Sequence, residues 1–254
     1  MPKFSNKKIF ISISVAFLFV TGVFCATLLS SFVLPASTQV AGQVKSNQFE
    51  IHFLALNKST LSSSASTLAK DVQSLGGGGY VWKNGEYFYV VSSAYANKND
   101  AVLVQNDLKS NSIDSEIFSV TFPSIVIEGG YDSESKKVLG KAVNIFETSY
   151  LALFDVAISL DTQVYNEISA RLAINSNHAN INSVIADFQT LFSQSDDSKI
   201  SALSIALSSL SKISANLCSG VIINSGQTYS SLIKYRYTEI LSLLSSLCEN
   251  LNKS

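Results

Sequence analysis

The stretch from Gly79 to Val91, "GYVWKNGEYFYVV", restricts the fold more tightly than any other part of the sequence. Two alternating aromatic runs flank Asn84-Gly85, and a two-residue hairpin loop calls for residues that accept positive φ. Taking Asn84-Gly85 as the loop sets Lys83 opposite Glu86, Trp82 opposite Tyr87, Val81 opposite Phe88 and Tyr80 opposite Tyr89. Side chains alternate along a strand, so Val81, Phe88 and Val90 share one face. Tyr80, Trp82, Tyr87 and Tyr89 share the other.

The flanking segments extend this hairpin into a sheet with helices. Residues 49–56, "FEIHFLAL", read as a strand, and 61–76 as a helix with Ala65, Leu68 and Val72 on one face and a glycine stop. A second helix over 97–111 carries Ala101, Val104 and Leu108 at helical spacing, and 112–122 closes the unit as a strand. The order βαββαβ predicts a ferredoxin-like split unit over 49–124, and α+β as the fold class. Both helices then cover a single sheet face, which suits the apolar set. The tyrosine and tryptophan rings, each with a polar tip, suit the open face. The same alternation turns Glu50 and His52 of the first strand, and Glu116 and Phe118 of the last, outward. The expected result is an aromatic platform with polar handles. Under the competing expectation, the rest of the chain covers this platform and the rings are core.

From about Ser133 the pattern becomes helical, predicting an all-α up-down four-helix bundle over 134–254. Leu139, Val143, Phe146, Tyr150, Leu153, Ala157, Leu160 and Val164 recur at alternating spacings of four and three, and the series continues through Ile168 and Leu172. It predicts a first helix nearly twice as long as its partners, with breaks after it at "NSNHAN", "SQSDDSK" and "GVIINSG". The N-terminal half of that helix then has a stripe free to lean on the aromatic face or to bind a partner.

Between Ile9 and Leu34 there are 26 residues without a charge, preceded by Lys3, Lys7 and Lys8 and followed by Pro35. About 20 such residues span a bilayer core as a helix. The positive flank predicts an uncleaved signal anchor over 1–35, with the N-terminus inside. A polar linker over 36–48 and the remaining segments then lie outside the cytoplasmic membrane. Lys and Arg number 18 against 19 Asp and Glu, so no electrostatic case for a nucleic-acid partner arises. Cys25 falls in the apolar run. Cys218 and Cys248 fall on antiparallel helices on the order of 30 Å apart, too far for a disulfide. His52 and His178 have no metal-ligand spacing around them, and neither a metal nor another cofactor is expected. Cys218 has no nearby histidine, and Glu50 with Glu116 reads as a solvated pair, so no enzyme is predicted.

Residues 88–95, "FYVVSSAY", followed by Ala101, Leu108 and Ser112-Ile113, resemble the second half of the SPOR (sporulation-related repeat) domain. Phe49, Ile51, His52 and Phe53 match its first half more loosely, with Leu54 where that family has Gly. The resemblance covers about a third of the chain. It implies a βαββαβ module that binds peptidoglycan glycan strands stripped of stem peptides. His52 would stand at its polar groove position, and Ser92 and Ser93 at its small third-strand position. The expectation is a membrane-anchored, extracytoplasmic glycan-binding protein of bacterial cell division or sporulation. Sugar C–H faces stack on rings while hydroxyls need polar partners, so His52, Tyr80, Trp82, Tyr87, Tyr89, Phe118, Glu50 and Glu116 form the candidate glycan face. The alternative is a non-catalytic envelope scaffold with a degenerate module. In that case the bundle contacts an envelope protein or another copy of the chain.

Overall fold

The computed structural model describes residues 43–220 and 226–253. The apolar run 9–34, and with it the expected anchor and its orientation, lies outside these residues. Strands β3 (Tyr80–Asn84) and β4 (Tyr87–Tyr95) form the hairpin, but the loop is Gly85-Glu86. Asn84 stays extended and pairs with Tyr87, so Trp82 faces Tyr89 rather than Tyr87. The reason lies in the turn. Gly85 alone takes positive φ, +59°, as suits a loop with glycine at its first position. The shift keeps the strand parity, so the two expected sets of side chains survive.

Strand β2 (Phe49–Ser59) pairs antiparallel with β4 and with β5 (Glu116–Phe122), giving the order β3-β4-β2-β5. Helices α1 (Ser62–Ser74) and α2 (Lys98–Ser110) lie on one face. Ala65, Ala69 and Val72 of α1 pack on Val90, with Val81 and Phe88 alongside. Ala101 and Leu108 of α2 pack on Leu54 and Tyr95. Asn97 caps α2 by accepting a hydrogen bond from the Asn99 backbone N–H, and Lys109 sits in its last turn, where the helix dipole favours a cation.

The linker is partly ordered as structure. Strand β1 (Gln43–Lys45) pairs with β6 (Val126–Glu128). Lys45 faces Val126 just as, four residues on, Phe49 faces Phe122, so this small ladder continues the β2–β5 register across a short interruption.

Four helices follow: α3 (Ser133–Asp161), α4 (Glu167–Phe192), α5 (Ser198–Ser219) and α6 (Tyr229–Lys253). Helix α3 packs on α4 and α6, and α5 packs on the same two. The double-length first helix is not there. It ends at Asp161, Gln163 takes φ +60°, and Asn166 starts α4 by accepting from the Ser169 backbone N–H. "NSNHAN" is then interior to α4 rather than a break. By length and composition alone, α3 and α5 could each cross a membrane, yet both line the bundle core.

Sheet and bundle do not form separate cores. Ile51, Phe53, Trp82, Val91 and Phe122 belong to the same buried cluster as Leu139, Tyr150, Phe188, Leu210 and Tyr237. The boundary between 124 and 134 is therefore a change of secondary structure within one hydrophobic interior.

Candidate functional site

A row of rings crosses the sheet on the side away from α1 and α2. Tyr80 stands edge-on to Tyr235 of α6 at 5.3 Å, and Trp82 lies 4.5 Å from Phe53. Phe53 stacks on Phe118 at 5.1 Å, Phe118 meets Tyr89 at 4.4 Å, and Tyr89 meets Tyr87 at 6.2 Å. The alternation brings Tyr80, Trp82, Tyr87, Tyr89 and Phe118 together on one face, as the sequence suggests. Most of that face is covered. The bundle, chiefly α6, lies on it and leaves Trp82 6% exposed; Tyr89, 8% exposed, is closed in by Phe118, Tyr87 and Lys58, while Tyr87 remains 40% exposed.

His52 and Glu50 belong to the other face. Ile51 and Phe53 take the bundle side of β2, leaving His52 buried with its Nδ1 2.7 Å from Ser119 Oγ. Glu50 Oε2 lies 3.7 Å from His52 Nε2 on that same side. The strand's phase changes further along. Register shifts between Leu54 and Asn57 bring Lys58 onto the aromatic side, beside Tyr89. A bulge inserts one unpaired residue and so reverses which alternate positions face inward.

What stays open is a ledge at the outer end of the row. Lys58 Nζ lies 5.2 Å from the Tyr87 ring centre and 5.8 Å from that of Tyr89. Its ammonium also contacts Glu116 at 2.7 Å, and that hydrogen bond holds the Lys58 pKa above its ordinary value. Both side chains are exposed, so the pair adds little to stability. A groove of about 260 Å³, lined by Leu56, Asn57, Asp114 and Ser115, adjoins the pair. Rings, an ammonium and a carboxylate can together hold a sugar-like or other amphipathic ligand.

The seam between sheet and bundle is polar where it needs to be. Ser93 Oγ and Tyr237 OH share a hydrogen bond of 2.7 Å, and Tyr150 OH donates to the Ala94 carbonyl at 3.1 Å. Burial pushes Tyr95, Tyr150 and Tyr237 well above the ordinary phenol range. Ser92 and Ser93 are thus buried, with Ser93 bonded to the bundle. The glycine run 76–79 meets α6 closely. Ser231 Oγ donates to the Gly77 carbonyl at 2.6 Å, and Lys234 Nζ donates to that of Gly76 at 3.0 Å.

The second histidine is also structural. His178 Nδ1 lies 3.1 Å from Ser214 Oγ of α5, and its Nε2 lies 3.0 Å from the Asn182 amide. Cys218 and Cys248 are free thiols, half-buried and buried respectively. Among the described residues, no group of three His, Cys, Asp or Glu side chains is placed to hold a metal ion.

Sequence reasoning missed one surface. Val164, Ile168 and Leu172 continue the apolar series of the first helix, yet they are 61%, 71% and 66% exposed, with Tyr165 beside them. Ile168 and Leu172, one turn apart, share a face at the start of α4, and Val164 and Tyr165 lie in the turn just before it. The signal was present in "DTQVYNE", whose Asn166-Glu167 reads as a helix start.

Compared with family models, with curated proteins and with solved structures, the chain matches none.

Proposed function

We propose that this chain is a non-catalytic, membrane-anchored scaffold of the extracytoplasmic envelope, and that its helical bundle docks a partner protein. The observation that supports this most is the stripe Val164, Ile168 and Leu172, the largest run of exposed aliphatic side chains among the described residues. Grouped apolar exposure of this kind marks interaction surfaces more often than scattered single residues do. The one-turn spacing of Ile168 and Leu172 suits the apolar side of an amphipathic helix laid along the start of α4.

The SPOR-like element order supports an envelope setting, but here the module's aromatic face serves as a seat for α6. A photo-crosslinking residue at Ile168 in the full chain, in cells, tests the proposal. A discrete protein adduct is expected from Ile168, absent from a probe at exposed Ser201, and lost on Leu172→Asp. Adducts of equal yield from both positions would reject it.

A second reading rests on the ledge. Exposed Tyr87, with Lys58 and Glu116 beside it, supports weak glycan contact at the outer end of the sheet. Co-sedimentation of the full chain with amidase-stripped peptidoglycan, lost on Tyr87→Ala, is its expected signature. Equal sedimentation of wild type and variant would remove it.

A further inference from the structure

We infer that the outer edge of β5 is a self-association surface, pairing antiparallel with β5 of a second copy of this chain across a two-fold axis near Ser119. The sheet has two edges, β3 and β5. Natural sheets protect their edges with lysines, prolines, bulges, short strands or a covering element. β3 has several of these. It is five residues long, carries Lys83 and Asn84, and has α6 beside Tyr80.

β5 has none of them. It runs for seven residues in unbroken register with β2, with no proline inside it. Its one charge, Glu116, is at the first position and is held by Lys58 of the neighbouring strand. The six residues that follow, Ile117 to Phe122, are uncharged and rich in β-branched and aromatic types. Among the described residues β5 has no strand neighbour other than β2. Its outward backbone groups have no hydrogen-bond partner within these residues. Such a strand is a template for another strand.

The occupant follows from the strand's own pattern. A second copy fits the residues. With Ser119 opposite its counterpart, Phe118 of each chain faces Val120 of the other, an aromatic and β-branched cross-strand pair made twice. Ile117 faces Thr121 on the opposite face. Isologous pairing of this kind closes on itself rather than running on as a fibre. An anchor shared by all copies also raises their effective concentration in one plane. This inference goes beyond the scaffold reading and uses a different surface.

The test is charge exchange at the axis, using full-length protein carrying two different tags and reconstituted in lipid nanodiscs. Wild type should co-purify across tags. Ser119→Lys should weaken its own pairing by about tenfold or more, and Ser119→Glu likewise, because like charges directly opposite repel. Mixing Ser119→Lys with Ser119→Glu should restore pairing, which also shows that both variants fold. Leu172→Asp, which disables the stripe, should leave pairing intact. A wild-type chain that never co-purifies would overturn the inference, as would pairing indifferent to both charges or pairing lost only with Leu172→Asp.

Discussion

Lys234 of α6 places its ammonium 2.6 Å from the Asp161 carboxylate at the end of α3, with the two side chains 4% and 15% exposed. The same ammonium donates to the Gly76 carbonyl, so one cation ties two bundle helices to the glycine run that feeds β3. Removing one member of a buried pair leaves the other without compensation, and Asp161→Ala should destabilise the protein by about 3 kcal/mol or more. Urea unfolding followed by tyrosine and tryptophan fluorescence measures this. A loss below 1 kcal/mol would mean that water reaches the pair.

Glycine at 79 is required by two features at once. Its φ is +66°, and a Cβ there would run into the Ala69 carbonyl and the Gln73 side chain. Gly85 has a similar φ but open space around it. Gly85→Ala should therefore cost about 1 kcal/mol, from the left-handed conformation alone. Gly79→Ala should cost at least about 2 kcal/mol, with overpacking added. Equal losses in thermal unfolding would contradict the close approach.

The rings divide into core and surface. Trp82→Ala should lose about 3–5 kcal/mol, because it empties a site walled by Phe53 and the bundle. Tyr87→Ala should lose about 1 kcal/mol or less, because the ring is 40% exposed and its contacts are with Tyr89 and the exposed Lys58. A platform free of the bundle would make the two losses far more alike.

Thiol chemistry reports on the seam near Pro123. Burial pushes Cys248 up to about 11, and its Sγ lies 3.8 Å from the Pro123 carbonyl. Folding thus favours the neutral thiol. That contribution is complete below the unfolded thiol pKa of about 8.5 and is lost as pH rises from there through about 11. At pH 8, alkylation mapped by mass spectrometry should label Cys218 well before Cys248. Cys248→Ala should flatten the loss of stability between pH 8.5 and 11. Equal labelling would place Cys248 at the surface.

Much of this architecture can be read in the residues, and the failures have identifiable causes. The hairpin at Gly85 and the division of its side chains follow from local chemistry alone. Alternation holds over 49–53, but the bundle covers the second sheet face, so the apolar Ile51 and Phe53 turn to it and Glu50 and His52 to the other side. The bulge further along, which brings Lys58 to the rings, has no signal in the alternation. Periodicity misled at Val164, Ile168 and Leu172, which keep the helical rhythm across a turn although nothing covers them. The pairing of Gln43–Lys45 with Val126–Glu128 left only one buried apolar residue per strand, Val44 and Ile127, too little for a pattern to register. Whether the rings were open or covered depended on a helix more than a hundred residues away.

That last distance bears on how the protein is made. Ser93 and Tyr237 meet across 144 positions of sequence, and the sheet's aromatic side waits for α6 to cover it. Contacts so distant in sequence form late and slow the folding of a domain. If the segments after the expected anchor are exported in chain order, the sheet would reach the outside with Trp82 and Phe53 still bare, and would stay so until the 25-residue α6 followed. A chain cut short before Tyr229 would leave that aromatic side uncovered, a sticky half-protein of the kind that chaperones and proteases clear.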